Sequence, residues 1–157
     1  MNKTGTILAA RILSELKELS VLVDRAVQGL ERAKKRDDDY YLDGVALNLH
    51  GFYSGLERIF ERIASDIDGS VPSGTNWHRE LLNQMAIEVP SIRPAIISSE
   101  LKEKLEEYRG FRHVVRNVYT YRLNPEKIEG LVVRLNTVLE KTETDIIGFA
   151  RFLQSVE

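Results

Sequence analysis

Apolar residues recur along this chain at intervals of three and four, the spacing that gathers side chains on one face of an α-helix, and period-two alternation is scarce. Over residues 6–36 the positions Ile7, Ala10, Ile12, Leu13, Leu16, Leu19, Val23, Val27 and Leu30 make a nearly continuous stripe, which predicts a long first helix. The acidic run Asp37-Asp38-Asp39 offers an N-cap and first-turn negative charge to a second helix over about residues 39–68. Its stripe includes Leu42, Val45, Leu49, Phe52, Leu56, Ile59, Phe60 and Ile63. Residues 69–75, with two glycines and a proline, predict a loop. Asn76 is placed to cap a short helix from Trp77 to about Ile87, and Pro90 and Pro94 punctuate a second loop. Ser98 or Ser99 can cap a helix that should continue to about Tyr121. Asn124 caps the last helix, with Pro125 at its first position and Glu126 and Glu129 in its early turns. Its core face carries Leu131, Val132, Leu135, Val138, Leu139, Ile146, Phe149 and Phe152. The pattern predicts an all-α fold, an antiparallel bundle of four long helices plus one short helix. No internal repeat, low-complexity segment or linker interrupts it, so residues 1–157 read as one helical-bundle domain.

Composition narrows the chemistry. The 43% hydrophobic and 29% charged residues are ordinary for a soluble globular protein. The absence of cysteine excludes disulfides, thiolate catalysis and cysteine-based zinc sites. The three histidines, His50, His78 and His113, form no i, i+4 pair, so a helical zinc motif is missing and neither a metal nor a cofactor is expected. Asp37 to Asp39 is too tightly spaced for a calcium loop. A net charge of −2 means that any contact with nucleic acid must come from a local basic patch. Arg11, Glu15 and Lys17 break the first apolar run, and no stretch approaches about 18 uninterrupted apolar residues. A cytoplasmic protein with no membrane partner is the expectation.

Residues 109–121 hold the local basic patch. With Arg109 at 0° and an advance of about 100° per residue, Phe111, Val114, Val115 and Val118 fall within about 140° to 240°. Arg109, Arg112, His113 and Arg116 fall on the opposite face, between about 300° and 40°, with Asn117 and Tyr119 at its two sides. Three guanidinium groups so close repel unless an anion or an acidic partner compensates them, and guanidinium grips phosphate in bidentate fashion. An imidazole beside them can move a proton near neutral pH. Together these are the parts for metal-independent RNA cleavage, in which a base activates the ribose 2′-hydroxyl, an acid protonates the leaving 5′-oxygen and cations stabilise the phosphorane. The plainer reading stands beside it: a basic helix face is commonly solvated, or paired with acids on a neighbouring helix.

Other polar and aromatic residues fit structural roles. His50 lies within the apolar periodicity of the second helix and reads as a buried or interface histidine. Trp77 closes the core at the start of the short helix, and His78 caps it or crosses to a neighbour. Tyr53 and Glu57, four residues apart, are candidates to support the basic helix from behind, or to make a simple surface hydrogen bond. Tyr40 and Tyr41 read as partly buried packing residues.

Three segments carry a family resemblance over nearly the whole chain: Leu49-His50-Gly51-Phe52-Tyr53 with Leu56-Glu57-Arg58-Ile59-Phe60; Trp77-His78 with Leu81, Leu82, Met85 and Arg93-Pro94; and Phe111-Arg112-His113-Val114-Val115-Arg116-Asn117-Val118-Tyr119. In this order they resemble the HEPN superfamily, specifically the HepT-like ribonuclease toxins that pair with minimal nucleotidyltransferase antitoxins. The family signature is an arginine, four residues, a histidine, one residue and a tyrosine. Arg112 and Tyr119 match it, and Asn117 stands where the histidine belongs. Asparagine can hydrogen-bond a phosphate or a 2′-hydroxyl but cannot exchange a proton near neutrality. Three readings stay open: His113 has taken over the proton work, the protein is a binding-only module for a nucleotidyltransferase or nucleic acid, or the substitution inactivates it. The resemblance implies a homodimer with signature helices facing a shared cleft, an RNA substrate and a nucleotidyltransferase antitoxin that adenylylates Tyr119 in preference to Tyr121. Helix geometry and resemblance together make Arg112, His113, Arg116 and Asn117 the catalytic candidates and Arg109, Arg112 and Arg116 the RNA-binding ones, and a dimer would bring one His113 from each chain as acid and base.

Overall fold

In the computed structural model, which describes residues 3–156, five α-helices follow one another: α1 Lys3–Arg36, α2 Tyr41–Ile63, α3 Trp77–Met85, α4 Ser99–Asn117 and α5 Pro125–Ser155. A turn of π-helix, Ala64–Asp68, extends α2, and a short 3₁₀ turn, Thr120–Arg122, lies between α4 and α5. Among the described residues there is no strand, only an isolated antiparallel bridge between Val89 and Arg93. The fold is the all-α bundle of four long helices and one short helix. No helix among these residues is long and apolar enough to cross a membrane.

The helical stripes make the core. Leu8, Ile12, Leu16, Leu19, Val23 and Ala26 of α1 are buried with Val45, Leu49, Phe52, Leu56 and Phe60 of α2 and Leu131, Leu135, Val138, Ile146 and Phe149 of α5 in one continuous cluster. Helix α1 packs mainly on α2 and α5. Gly55 lets α1 and α2 approach closely, because a Cβ there would sit 2.5 Å from Leu19 Cδ2. Thr142, buried in α5, satisfies its hydroxyl by donating to the Val138 carbonyl at 2.7 Å.

Two caps form as the sequence suggests. Ser98 Oγ accepts from the Leu101 N–H at 3.0 Å, and Asn124 Oδ1 accepts from the Glu126 N–H at 2.9 Å with Pro125 in the first turn. The acidic run behaves differently. Asp37 adopts a left-handed φ of 49°, and the Asp38 N–H donates to the Ala33 carbonyl at 3.1 Å. That six-residue closure is a Schellman ending, so the acids terminate α1 and no side chain caps α2. Tyr40 is consequently 77% exposed rather than packed, and Tyr41 lies under the Arg36 guanidinium, 5.8 Å from its ring centroid. The Asn76 side chain makes no capping bond to α3, whose first turn is closed by the Glu80 N–H donating to the Asn76 carbonyl at 3.1 Å.

Helix α4 is oriented by its apolar side. Tyr108 meets Phe52 edge-on with centroids 5.7 Å apart, and its hydroxyl donates to the Leu131 carbonyl of α5 at 2.6 Å. Leu101, Leu105 and Phe111 are buried beside it. The basic side of α4 therefore faces away from α5. The helix ends at Asn117, not at Tyr121, and Val118 is already extended at φ −132° and ψ 158°. The apolar face expected over 111–118 is thus only half buried: Phe111 is covered, while Val114 and Val118 are 44% and 41% exposed.

Candidate functional site

A buried arginine sets the frame of the site. Arg93 donates from Nε and a terminal nitrogen to the two Asp68 carboxylate oxygens at 2.6 and 2.7 Å. Its remaining donors reach the carbonyls of Ile87, Pro94 and Gln84 at 2.8, 3.0 and 3.1 Å. Gln84 donates to Asp68 as well, at 2.8 Å. One bidentate pair thereby ties the end of α3 and the following loop to the π-turn after α2. Gly69, in the left-handed region at φ 68°, turns the chain immediately after Asp68. Helix α3 is held where Trp77 and His78 meet α4.

Between α3 with its preceding loop and the basic side of α4 lies a cleft of about 680 Å³. Trp77, His78 and Arg79 line it from one side, and Arg109, Arg112, His113, Arg116 and Asn117 from the other. Arg109, Arg112, His113, Arg116 and Asn117, the expected site residues of α4, thus share one surface. Tyr119 does not lie on that helix. It follows the helix end, 71% exposed, with its ring stacked on Tyr121 at 5.9 Å and 12°. Tyr121, the less favoured of the two tyrosines in the sequence, is its immediate neighbour. The two phenols differ in their partners: Tyr121 Oη accepts from Arg122 Nε at 3.3 Å, whereas the Tyr119 hydroxyl makes no hydrogen bond among the described residues.

Behind the cleft, α2 presents His50, Ser54 and Glu57, one face of the helix at intervals of four and three. Glu57 is buried, yet its carboxylate is compensated: Oε2 lies 2.7 Å from His78 Nδ1, and Oε1 lies 3.7 Å from an Arg112 terminal nitrogen. Arg112 also donates from Nε to Ser54 Oγ at 2.8 Å. Of the two roles open for Tyr53 and Glu57, Glu57 takes up contact with the basic helix from behind, and Tyr53 makes no hydrogen bond to it among the described residues. His50 and His78, which looked structural in the sequence, both belong to this neighbourhood. Burial, then the Arg112 and Arg116 guanidinium groups, pushes the His50 imidazole below its ordinary pKa, with Glu57 acting weakly the other way. Burial, with the Glu57 carboxylate second, pushes the Tyr53 phenol well above its ordinary range, and its hydroxyl has no hydrogen-bond partner among the described residues. Tyr53 is a neutral wall behind the site.

The cations are compensated unevenly. Arg109 is paired with Glu106, one turn back, at 2.8 Å, and Arg112 with Glu57. Arg116 and Arg79 make no ion pair or hydrogen bond among the described residues, and no carboxylate lines the cleft itself. A surface with unpaired guanidinium groups and no lining acid suits a polyanion. The His113 ring is exposed and unbonded, and its backbone carbonyl accepts from Asn117 Nδ2 at 2.7 Å. Asn117 thus satisfies one of the last carbonyls of α4. Among the described residues, no group of three or more histidine and carboxylate side chains is placed to hold a metal ion.

The sequence signal for the hidden half of the site was the His50-Ser54-Glu57 spacing, three polar residues on one face of α2. Arg79 carried no signal, because a lone arginine after Trp77-His78 is unremarkable until α3 is docked.

A family model described as "HepT-like protein" matches residues 44–153, more than half of the chain. Neither the curated proteins nor the solved structures compared with the chain gave a match.

Proposed function

The chain belongs to the HepT-like family, and from that premise we propose that it is a metal-independent endoribonuclease toxin of the HEPN type. The observation that carries this reading is the cleft in which Arg112 and Arg116 stand beside His113 and opposite His78, with no lining carboxylate. Arg112 and Arg116 hold the scissile phosphate, and Arg109 extends the grip along the RNA backbone. His113 transfers a proton, being exposed and free of other partners. Asn117 orients it by holding the last turn of α4 through the His113 carbonyl. The active form is a homodimer with two α4 helices facing one cleft.

The partner is a minimal nucleotidyltransferase that adenylylates Tyr119. An AMP group there adds negative charge and bulk close to the basic surface and competes with RNA phosphate. The exposed, unbonded Tyr119 hydroxyl supports this site over Tyr121, whose oxygen already accepts from Arg122. The test is cleavage of single-stranded RNA in EDTA by the parent protein and by Arg112→Ala. Chelator-resistant activity that disappears in the variant supports the proposal; activity that needs a metal, or that survives Arg112→Ala unchanged, overturns it. The intact mass after co-expression with a nucleotidyltransferase reads the modification, which Tyr119→Phe should remove and Tyr121→Phe should leave.

One observation favours a second reading, a binding-only module for the nucleotidyltransferase or nucleic acid. Asn117 stands at the signature histidine, and its amide is engaged with the helix backbone. Absence of growth arrest on expression alone, together with RNA cleavage switched on by Asn117→His, would select this reading.

A further inference from the structure

Building on the nuclease reading above, we infer that His78 is the general base for attack by the ribose 2′-hydroxyl, and that Glu57 is the positioning residue that prepares it. His78 Nδ1 lies 2.7 Å from Glu57 Oε2 and 3.5 Å from an Arg112 terminal nitrogen; a carboxylate only accepts hydrogen bonds, so the much shorter contact assigns the ring proton to Nδ1 and the free lone pair to Nε2. Nε2 has no hydrogen-bond partner among the described residues. The carboxylate is 3% exposed and the His78 side chain 25%, so the acid sits behind and the ring opens on the cleft. The Trp77 ring lies 3.6 Å from the imidazole centroid at 31°, which restricts rotation of the base. The other Glu57 oxygen faces Arg112, so one buried carboxylate sets both the base and a cation of the phosphate grip.

In the step that follows, His78 Nε2 takes the 2′-hydroxyl proton as the 2′-oxygen bonds to phosphorus. The bond from phosphorus to the 5′-oxygen breaks, and that oxygen takes a proton from the imidazolium of His113 on the facing helix. The products are a 2′,3′-cyclic phosphate and a 5′-hydroxyl, and water returns both imidazoles to their starting states. The order of roles follows from Glu57: a carboxylate behind His78 stabilises the imidazolium that a base becomes. Both imidazoles come from one chain, so the missing histidine at Asn117 is made good by a different helix.

The charged groups around His78 are Glu57 from α2, Arg109, Arg112, His113 and Arg116 from α4, and Arg79 beside it on α3. The experiment measures cleavage of a single-stranded RNA in EDTA over roughly pH 5 to 8, the range in which an imidazole titrates. His78→Gln should lower kcat by about 10²- to 10⁴-fold, leave KM within a few-fold and erase the acid limb of the pH profile. Glu57→Gln, whose amide oxygen can still accept from Nδ1, should keep part of the activity and move that limb to lower pH, a displacement that lost packing would not produce. Should His78→Gln fail to fold by circular dichroism, the displacement in Glu57→Gln decides. Activity and pH profile in His78→Gln equal to the parent's, or an unmoved limb in Glu57→Gln, overturns the role of His78 and leaves the nuclease reading standing. A parent protein that cuts no RNA overturns both.

Discussion

The Arg112 guanidinium stands 3.7 Å from the buried Glu57 carboxylate, whereas Arg116, one turn further along α4, has no acidic partner among the described residues. The two arginines share a surface but differ in what depends on them. Arg112→Met leaves a buried carboxylate with only His78 opposite, at a cost of about 1–3 kcal/mol. Arg116→Met should change stability by no more than about 0.5 kcal/mol, as at other surface positions. Urea melts of the two variants check this, and equal losses would show that the Glu57 contact contributes nothing.

Arg93 is a sharper case, because its side chain is fully buried against Asp68. Removing one member of such a pair leaves an uncompensated buried charge and costs about 3–5 kcal/mol. Arg93→Met should therefore lower Tm more than any change at the cleft. Because the pair fixes α3, protection of the α3 amides from hydrogen exchange should fall with it. Unchanged α3 protection in a folded Arg93→Met protein would show that α3 is held by its apolar contacts alone.

Tyr53 makes the opposite prediction. Its hydroxyl is buried without a partner, so the folded state bears a desolvation cost that phenylalanine avoids. Tyr53→Phe should be neutral or slightly stabilising in a thermal melt. A clear loss of stability would point to a hydrogen bond to bound water.

His50 gives the pH dependence. Its pKa in the fold lies below the ordinary 6.5, through burial first and then Arg112 and Arg116. The unfolded chain binds this proton more readily, so the His50 contribution to stability is complete above about pH 6.5 and falls as pH drops through and below that value. Arg116→Gln removes one of the causes and should raise the His50 pKa partway, leaving the parts due to burial and to Arg112. The imidazole proton shift in an NMR titration reads it directly; an unmoved titration would place Arg116 too far away to matter.

Arg79 and Arg116 should act as phosphate contacts. Substituting either with alanine should weaken RNA binding evenly across sequences and reduce the slope of log K against log salt by about 0.7 per cation for a single strand. Filter binding at several salt concentrations measures this. A variant that weakens binding with the slope unchanged would not be losing a phosphate contact.

Apolar spacing alone made the bundle legible, and Ser98, Asn124 and Pro125 marked two helix starts through local hydrogen bonding. The Asp37-Asp38-Asp39 run misled because the same acids serve a left-handed helix ending as readily as a helix beginning, and tertiary context decides which. The basic side of α4 was legible because Arg109, Arg112, His113 and Arg116 are close in sequence. Of its partners only Glu57 was a candidate in the sequence; His78 and Arg79 lie on another helix and reach the basic side only once Arg93 and Asp68 have docked α3. Helical periodicity also carried α4 four residues too far: nothing in Val118 or Tyr119 opposes a helix as proline would, and the Asn117 side chain, bonded back to the His113 carbonyl, ends it.

That backward bond divides the signature into two mechanical pieces. Up to Asn117 the chain is a rigid rod whose rotation is fixed by Tyr108 and Phe52. From Val118 onward it is an extended arm, resting its 3₁₀ turn against α2 and holding a pair of phenols in solvent. A modifying enzyme could grasp the arm without disturbing the rod, and a change in the arm's length would alter where a bulky adduct falls without altering the cationic grip.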